Sequence, residues 1–425
     1  MKTERALQKP LNIDSKIRIS IERLEKDIID LSNIGRNDKD GGVYRMAFTE
    51  ADMDARKWLI ERIDDAGLKG SMDGAANVFG LDDRAGTRSS FLVGSHLDSV
   101  PCAGAVDGPL GVLAALECMR IIKENDIELK ENLELVATSD EEGRFGGMLG
   151  SQAICGEITP EIIRTAKDSS GISLQEAMRA VGLEPQNILR ASRHHENMSG
   201  FLELHIEQGP VLEKKQIDVG IVESISGVFS WKVELIGEAN HSGTTPMDMR
   251  KDSFQGLCEF AGEIARVLEE NGTDQARATI GKVSITPGSP HTVPGRTEFT
   301  IVGRDFTEPA LEELEEAFRR TLSAISRRRG LMFNFEKLSR ISPTVCDVEM
   351  QSLIEHEAKS MGITSIKMPS GAGHDGQFFG KYMPMGMIFI PSLNGVSHSP
   401  DEWSSLEHIE IGANLLLNSI LKILT

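Results

Sequence analysis

The sequence is short of positive charge. Lysine and arginine total 46 against 65 aspartates and glutamates, which leaves a formal net charge of -19. Binding to nucleic acid depends on basic side chains that neutralise phosphates, so this class of partner is excluded. The one basic run, residues 327–329, follows several glutamates and is interpreted as the end of a charged surface helix.

Cysteine and long hydrophobic runs are also scarce. The five cysteines are scattered and form no CxxC pair, which favours reduced thiols in the cytoplasm. No run of 18 apolar residues occurs, and residues 1–16 are too polar for a secretory signal. We therefore expect a cytoplasmic protein with no membrane segment.

The pattern of apolar segments predicts two domains. A chain of 425 residues exceeds one ordinary core. Apolar strands at 91–93, 133–138 and 387–390 alternate with helical patterns such as 108–122, which predicts an α/β fold with a mostly parallel sheet. Residues 228–329 follow a β-α-β-β-α order instead. We expect a catalytic domain of residues 1–220 and 338–425, interrupted by an inserted α+β domain of residues 221–337.

Polar side chains gather where the predicted α/β strands end. His96 and Asp98 follow the first strand, and Asp107 precedes a glycine at a predicted helix start. Glu141 and Glu142 follow the strand at 133–138. Functional groups in such sheets collect at the carboxyl ends of strands. Each motif alone has an ordinary reading: a core histidine, a helix N-cap, or two acids in a solvated loop.

Two more histidines extend the set. His205 lies in LHIEQGP, and His398 lies in SHSPDE after the apolar strand ending near residue 390. Imidazole nitrogens with carboxylate oxygens suit Zn²⁺, Mn²⁺, Co²⁺ or Ni²⁺. No cysteine joins them, so a structural thiolate zinc site is not indicated.

The chain resembles the M20 metallopeptidase-like amidohydrolases, in the branch of N-carbamoyl-L-amino acid hydrolases, β-ureidopropionases and allantoate amidohydrolases. The matching blocks run in family order over nearly the whole chain. They are GVYR (42–45) with Thr49, Asp52, Ala55 and Arg56, GSHLDSVPCAGAVDGPLGVLAALE (94–117), SDEEGRFGGMLGS (139–151), ELHIEQGPVLE (203–213), HSGTTPMDMRKD (241–252), TVPGRTEFTIVGRD (292–305), PSGAGHDGQ (369–377) and SHSPDE (397–402).

The resemblance implies a centre of two divalent metal ions. Asp107 bridges the ions; the other ligands are His96 and His205 at one ion, and Glu142 and His398 at the other. Asp98 orients His96 through the second ring nitrogen. Glu141 is the general base that takes a proton from the attacking water and passes it to the leaving nitrogen.

The resemblance also implies substrate-binding residues. Gln208 in the HIEQGP form reaches the ureido or amide group, and Gly371 belongs to the same set. In the family the inserted domain is a lid and dimerisation module, so a homodimer is expected. His241 stabilises the oxyanion, often from the partner subunit, and Arg304 grips the substrate carboxylate. Without the resemblance, His241 would be interpreted as a histidine in a turn and Arg304 as a surface arginine.

Three departures from the family pattern leave the proposed metal ligands unchanged. His291 stands where the family commonly has asparagine. That asparagine normally helps the arginine at position 304 to hold the substrate carboxylate, so the substrate could differ from a plain carbamoyl amino acid. The usual Asp-x-Arg is Val302-Gly303-Arg304, and the segment after Glu142 is one residue shorter than the common form. The side-chain preference is therefore left open.

The leading hypothesis is hydrolysis of an N-carbamoyl-L-amino acid to the amino acid, ammonia and CO2. Allantoate hydrolysis and an aminoacylase or dipeptidase activity remain alternatives. A non-catalytic carboxylate-binding protein on the same fold would have lost a ligand or the base, and neither is lost here.

Overall fold

The computed structural model describes residues 17–193 and 198–425. The chain divides into two compact units. Of the described residues, the first unit comprises 17–193, 198–223, 345–370 and 374–425, and the second comprises 224–344 and 371–373. The predicted boundaries, 221 and 338, lie a few residues earlier.

The strands are β1 (Lys69–Met72), β2 (Val78–Asp82), β3 (Ser90–His96), β4 (Asn132–Thr138), β5 (Met198–Ile206), β6 (Val219–Ile225), β7 (Gly227–Ile236), β8 (Arg277–Thr286), β9 (Arg296–Asp305), β10 (Met332–Ile341), β11 (Thr344–Val345), β12 (Ser365–Ser370) and β13 (Met385–Ile390).

The helices are α1 (Ile21–Ser32), α2 (Glu50–Asp65), α3 (Pro109–Glu124), α4 (Leu149–Ile154), α5 (Pro160–Thr165), α6 (Leu174–Ala180), α7 (Val211–Lys215), α8 (Ser253–Asn271), α9 (Glu308–Arg329), α10 (Val348–Ser360), α11 (Gly376–Phe379) and α12 (Leu406–Leu424). The helical pattern predicted for residues 15–31 begins at residue 21, and its first two positions lie outside the described residues. Within the described chain, no helix is both long and apolar enough to cross a membrane.

The first unit is built on a large mixed sheet in the order β1-β2-β4-β3-β5-β13-β6-β11, with β12 paired to β6. The four central strands, β4, β3, β5 and β13, are parallel to one another. β2 and β6 flank them in antiparallel orientation. The predicted α/β class with a mostly parallel sheet is confirmed for this unit, and its parallel part is the centre of the sheet.

Burial on both faces explains why the central strands read as unbroken apolar runs. Every residue of β3, β4 and β13 is buried, as expected for parallel strands covered on both sides. Helix α3 is buried from Pro109 to Ile122 and packs against β3, β5, α1 and α12. Because the central strands are parallel, their carboxyl ends meet at one edge of the sheet.

The second unit is an antiparallel sheet in the order β10-β7-β9-β8 with two helices. Alternate residues of β7 and β9 are buried, and their inward side chains pack with α8 and α9 around Trp231, Phe260 and Phe318. The predicted β-α-β-β-α order omits the last strand, β10, which pairs with β7 from Met332 to Ile341. Residue 338 falls within β10, so this unit extends further than its apolar pattern indicates.

Two buried arginines hold the strand ends of the first unit, and both lie in the GVYR-to-Arg56 block. Arg45 donates from Nε to the carbonyl oxygen of Leu97 (2.8 Å), just past β3. Arg56 donates to the carbonyl oxygens of Ala76 (2.7 Å) and Thr138 (3.1 Å), the latter at the end of β4. Arg56 also forms an ion pair with Asp52 at 2.9 Å, and both side chains are fully buried.

We expect Arg56→Met to lower the free energy of unfolding by about 3–5 kcal/mol, because it leaves the Asp52 carboxylate buried without its partner. Urea denaturation followed by circular dichroism measures the change.

The control is Arg62→Met on the same helix. Arg62 pairs with Asp65 at 2.8 Å, with side chains 31% and 67% exposed, and exposed pairs contribute about 0–1 kcal/mol. Equal, small losses in the two variants would contradict the role assigned to the buried pair.

Candidate active site

The carboxyl edge of the central strands carries the candidate site. His96 is the last residue of β3, and His205 is the next-to-last residue of β5. Glu141 and Glu142 follow β4, and His398 lies in the loop between β13 and α12. Polar side chains from segments that are far apart in sequence therefore lie together at this edge of the sheet, as expected for parallel strands.

Asp107 lies at the centre of these groups. Its Oδ1 is 3.2 Å from His205 Nε2 and 3.7 Å from His96 Nε2, and its Oδ2 is 3.1 Å from His398 Nε2. Glu142 Oε2 lies 3.4 Å from His398 Nε2. The structure thus brings together all five predicted ligands around one shared carboxylate.

Two of the resulting groups have the geometry to hold ions. His96, Asp107 and His205 form one, and Asp107, Glu142 and His398 form the other; in each, the candidate ligand atoms lie within 4.8 Å of one another. Glu142 Oε1 is buried and has no hydrogen-bond partner among the described residues. Buried carboxylate oxygens are normally satisfied, so the donor set fits a pair of divalent cations.

The ring orientation of the two strand histidines also fits ligation. The Nδ1 atoms of His96 and His205 lie 3.0 Å and 2.9 Å from the backbone carbonyl oxygens of Asp98 and Ile206. A carbonyl oxygen only accepts, so Nδ1 carries the proton and the Nε2 lone pair faces the cluster.

The role of Asp98 differs from the predicted one. The sequence predicts that its carboxylate bonds the His96 ring, but the ring is held by the backbone carbonyl of Asp98, so the predicted contact is wrong. The carboxylate instead accepts the backbone N–H groups of Glu141 (3.1 Å) and Glu142 (3.2 Å). Asp98 therefore fixes the turn that presents both glutamates.

Gly108 is required where Asp107 leads into α3. Its φ is +83°, a region that side chains other than glycine rarely adopt. A Cβ atom there would also overlap the His96 ring. The glycine therefore lets the ring of one predicted ligand lie directly against the backbone that follows another.

The carboxylates and imidazoles of the cluster shift one another's pKa values. Burial would raise the pKa of Asp107, but the adjoining imidazoles of His205, His398 and His96 hold it well below its usual range. Burial, together with the Asp107 charge, raises the pKa of Glu142 to about 7. Burial likewise raises the pKa of Glu141. Bound divalent cations would favour the ionised form of each carboxylate.

Gln208 contacts the cluster itself. Its Nε2 donates to Asp107 Oδ2 at 2.7 Å and to Ser397 Oγ at 3.2 Å. The resemblance predicts that this amide contacts the substrate, whereas in the structure it donates a hydrogen bond to the Asp107 carboxylate. The substrate role stays a prediction.

Within the second unit, the segment of His241 contacts that of His291, and Arg304 contacts Gly371. The backbone N–H of Ser242 donates to the carbonyl oxygen of His291 (2.9 Å), which holds the His241 and His291 segments together. Arg304 Nη1 donates to the carbonyl oxygen of Gly371 (3.1 Å).

His241 has a defined tautomer. Its Nδ1 accepts the backbone N–H groups of Gly243 (3.0 Å) and Thr244 (3.2 Å). Because Nδ1 is an acceptor, the ring proton is on Nε2, and this exposed side chain presents an N–H donor. A donor is what the predicted role at an oxyanion requires.

Sequence reasoning did not single out three further residues around the cluster. Glu402 accepts hydrogen bonds from the backbones of both Asp107 and His398. Glu203 and His374 form a third buried group with His205. All three lie in the quoted sequence blocks, but no spacing rule separates them from their neighbours.

Comparison with known proteins agrees with this geometry. The sequence profile of Peptidase family M20/M25/M40 matches residues 92–422. The chain belongs to this family. The resemblance stated from the sequence is thereby confirmed.

Full-length relatives place the chain more finely within the M20 family. It is 36% identical over 403 residues to the N-carbamoyl-L-amino acid amidohydrolase of Geobacillus stearothermophilus, covering 94% of this chain and 97% of that one. It is 34% identical over 414 residues to the allantoate amidohydrolase of Bacillus subtilis, covering 96% and 99%. A hydantoinase/carbamoylase family amidase from Burkholderia multivorans has a similar structure, with a TM-score of 0.85 and 30% identity over 96% of this chain and 98% of that one.

We expect Asp107→Asn to lower the number of bound metal ions per chain, because Asp107 is the one carboxylate shared by both ligand groups. Metal content after dialysis against Zn²⁺, measured by plasma mass spectrometry, checks this.

The control for that experiment is Glu203→Gln. Glu203 lies two residues from His205 on β5 and belongs to the third group, and its Oε1 accepts from Ser95 Oγ at 2.6 Å. We expect its metal content to equal that of the unchanged protein. If instead Glu203→Gln lost an ion and Asp107→Asn did not, the third group would be the metal site.

Proposed function

We propose that this chain is a metal-dependent amidohydrolase that hydrolyses a linear ureido or amide C–N bond. The leading substrate is an N-carbamoyl-L-amino acid, which yields the L-amino acid, ammonia and CO2. The observation that carries the proposal is the Asp107 carboxylate shared by three histidines with Glu141 beside them. The names of the full-length relatives support the ureido substrate class.

The proposed cofactors are two divalent ions per chain, held through Asp107 by the two ligand groups described above. Bound there, they supply Lewis-acid activation of water and of the substrate carbonyl. The nitrogen and oxygen donors suit Zn²⁺, Mn²⁺, Co²⁺ and Ni²⁺ alike.

Glu141 is the proposed general base. Its Oε2 lies 3.8 Å from His96 Nε2, and its side chain is 8% exposed, so it reaches the cluster from a largely dry position. We assign to this carboxylate the proton of the attacking water and its later delivery to the leaving nitrogen. Asp98, which holds the backbone N–H of Glu141, keeps that carboxylate in place.

The second unit is proposed to supply the remaining groups. The Nε2–H of His241 suits stabilisation of a developing oxyanion, and Arg304 suits a substrate carboxylate. We further propose a homodimer in which the second unit is the dimerisation module, and a cytoplasmic location, since all five cysteines are free thiols.

Allantoate is the second candidate substrate, favoured by the Bacillus subtilis relative. The same cluster would attack its ureido group. His291 also keeps allantoate a candidate, because an imidazole presents hydrogen-bonding groups different from those of the asparagine amide that is common in the family.

The first experiment is a substrate panel for the Zn²⁺- or Mn²⁺-loaded protein. We expect ammonia release from N-carbamoyl-L-amino acids, abolished by a chelator. Allantoate and N-carbamoyl-β-alanine are assayed in parallel, and N-acetyl amino acids are scored for free amine. Release of amine alone would reject the ureido class in favour of an aminoacylase.

We expect Glu141→Gln to keep its metal ions and lose turnover by about 10²–10⁴-fold, the usual contribution of a positioned base. The kcat and metal content are measured on the same sample. Glu157→Gln, a surface glutamate that pairs with Lys381, is the control and should retain normal turnover. Normal turnover in Glu141→Gln would assign the proton transfer to another group.

We expect His241→Ala to keep its metal ions and lose kcat by about 10²–10³-fold, as for removal of an oxyanion donor. Steady-state kinetics measure the change. The comparison variant is His356→Ala, an exposed residue of α10 outside the quoted blocks, which should retain normal kcat. Unchanged kcat in His241→Ala would exclude this residue from the reaction.

A further inference from the structure

Glu402 is a buried carboxylate that holds two loops at once. It is 2% exposed. Its Oε1 accepts the backbone N–H groups of Asp107 (3.0 Å) and Val106 (3.3 Å). Its Oε2 accepts the backbone N–H of His398 (3.0 Å) and the Oγ–H of Ser397 (2.9 Å). Four donors thus fill the acceptor positions of one carboxylate.

The two residues held by Glu402 are ligands that no strand holds in place. Asp107 lies between β3 and α3, and His398 lies in the loop before α12 with φ of +54°. His96 and His205, by contrast, lie within β3 and β5. Loop backbones lack the ladder of hydrogen bonds that fixes a strand. The 3.1 Å approach of His398 Nε2 to Asp107 Oδ2 therefore depends on other contacts.

Glu402 contacts both loops through their backbone N–H groups. Asp98 provides a parallel case, since its two carboxylate oxygens hold the backbone N–H groups of Glu141 and Glu142. Each pair of loop residues at the cluster is thus positioned through its backbone by one buried carboxylate.

We propose that Glu402 is a positioning residue for the ion held by Asp107, Glu142 and His398. Its hydrogen bonds to Asp107 and His398 go to their backbones, and it acts by fixing them. The inference rests on the proposed metal centre and adds a residue that sets the affinity of one of its two sites.

The chemistry of the four donors makes glutamine an informative replacement. An amide has nearly the same size but only one accepting oxygen, and its NH2 group donates. In Glu402→Gln one side of the amide must therefore face a backbone N–H that it cannot accept. Ser397 can rotate its hydroxyl to compensate, but the N–H of His398, or those of Asp107 and Val106, cannot.

The test is a calorimetric titration of the chelator-treated, full-length protein with Zn²⁺ as the metal. We expect two equivalents to bind the unchanged protein. In Glu402→Gln we expect one equivalent to weaken by about 10–100-fold, the usual effect of losing a group that orients a ligand, and the other, which His398 does not ligate, to weaken less. Glu402→Asp keeps the charge but is one methylene shorter, and the same equivalent should weaken.

The matched control is Asp305→Asn. Asp305 is fully buried and accepts from the backbone N–H and the Oγ1 of Thr273, both at 2.9 Å, so it is the same kind of clamp in the second unit. Thermal melts of the metal-free variants record the loss of stability. We expect Asp305→Asn to melt earlier but bind both equivalents normally.

Two failures are distinguishable. If the glutamine or aspartate variant melted earlier and bound both equivalents normally, Glu402 would be purely structural and the inference overturned. If the unchanged protein bound no Zn²⁺, the metal centre itself would be overturned, and the inference with it. Should Glu402→Gln fail to fold, Glu402→Asp alone decides between these outcomes.

Discussion

The arrangement of the site depends on one carboxylate, that of Asp107. Its two oxygens face in different directions: Oδ1 lies towards His96 and His205, and Oδ2 towards His398. A single side chain can serve both ligand groups only if the three histidines arrive from different directions. β3 and β5 bring His96 and His205 to Oδ1, because they are parallel neighbours and end at the same edge, and the loop after β13 brings His398 to Oδ2.

The site combines two ways of fixing a side chain. The strand histidines are held by sheet hydrogen bonds, and their rings are oriented by carbonyl oxygens one or two residues away. The loop residues have no such frame, and buried carboxylates bind their backbone N–H groups instead. Both kinds of anchor are themselves buried, so the geometry of the cluster is tied to the folding of the first unit.

The sequence predicted the parts of the fold that rest on local pattern. The apolar runs of β4 and β13 and the helices α3, α8 and α9 follow directly from periodicity and burial, and the family follows from ordered motifs. Strand β10 was not predicted, because it alternates exposed and half-buried residues and lacks the apolar run that marks a buried strand. Its partner β7 lies about a hundred residues earlier, a pairing that local pattern does not encode.

The same distinction explains which site residues the sequence could identify. Histidines and acids at strand ends are recognisable because their chemistry and position coincide. The contacts of Asp98 and Glu402 are not, because both carboxylates act on backbone N–H groups, which every residue possesses. A sequence therefore shows which side chains can bind an ion but not which carboxylates hold the loops. This site contains more acidic side chains than the two ions require as ligands. Only the three-dimensional contacts distinguish the acids that would bind an ion from those that hold a loop backbone.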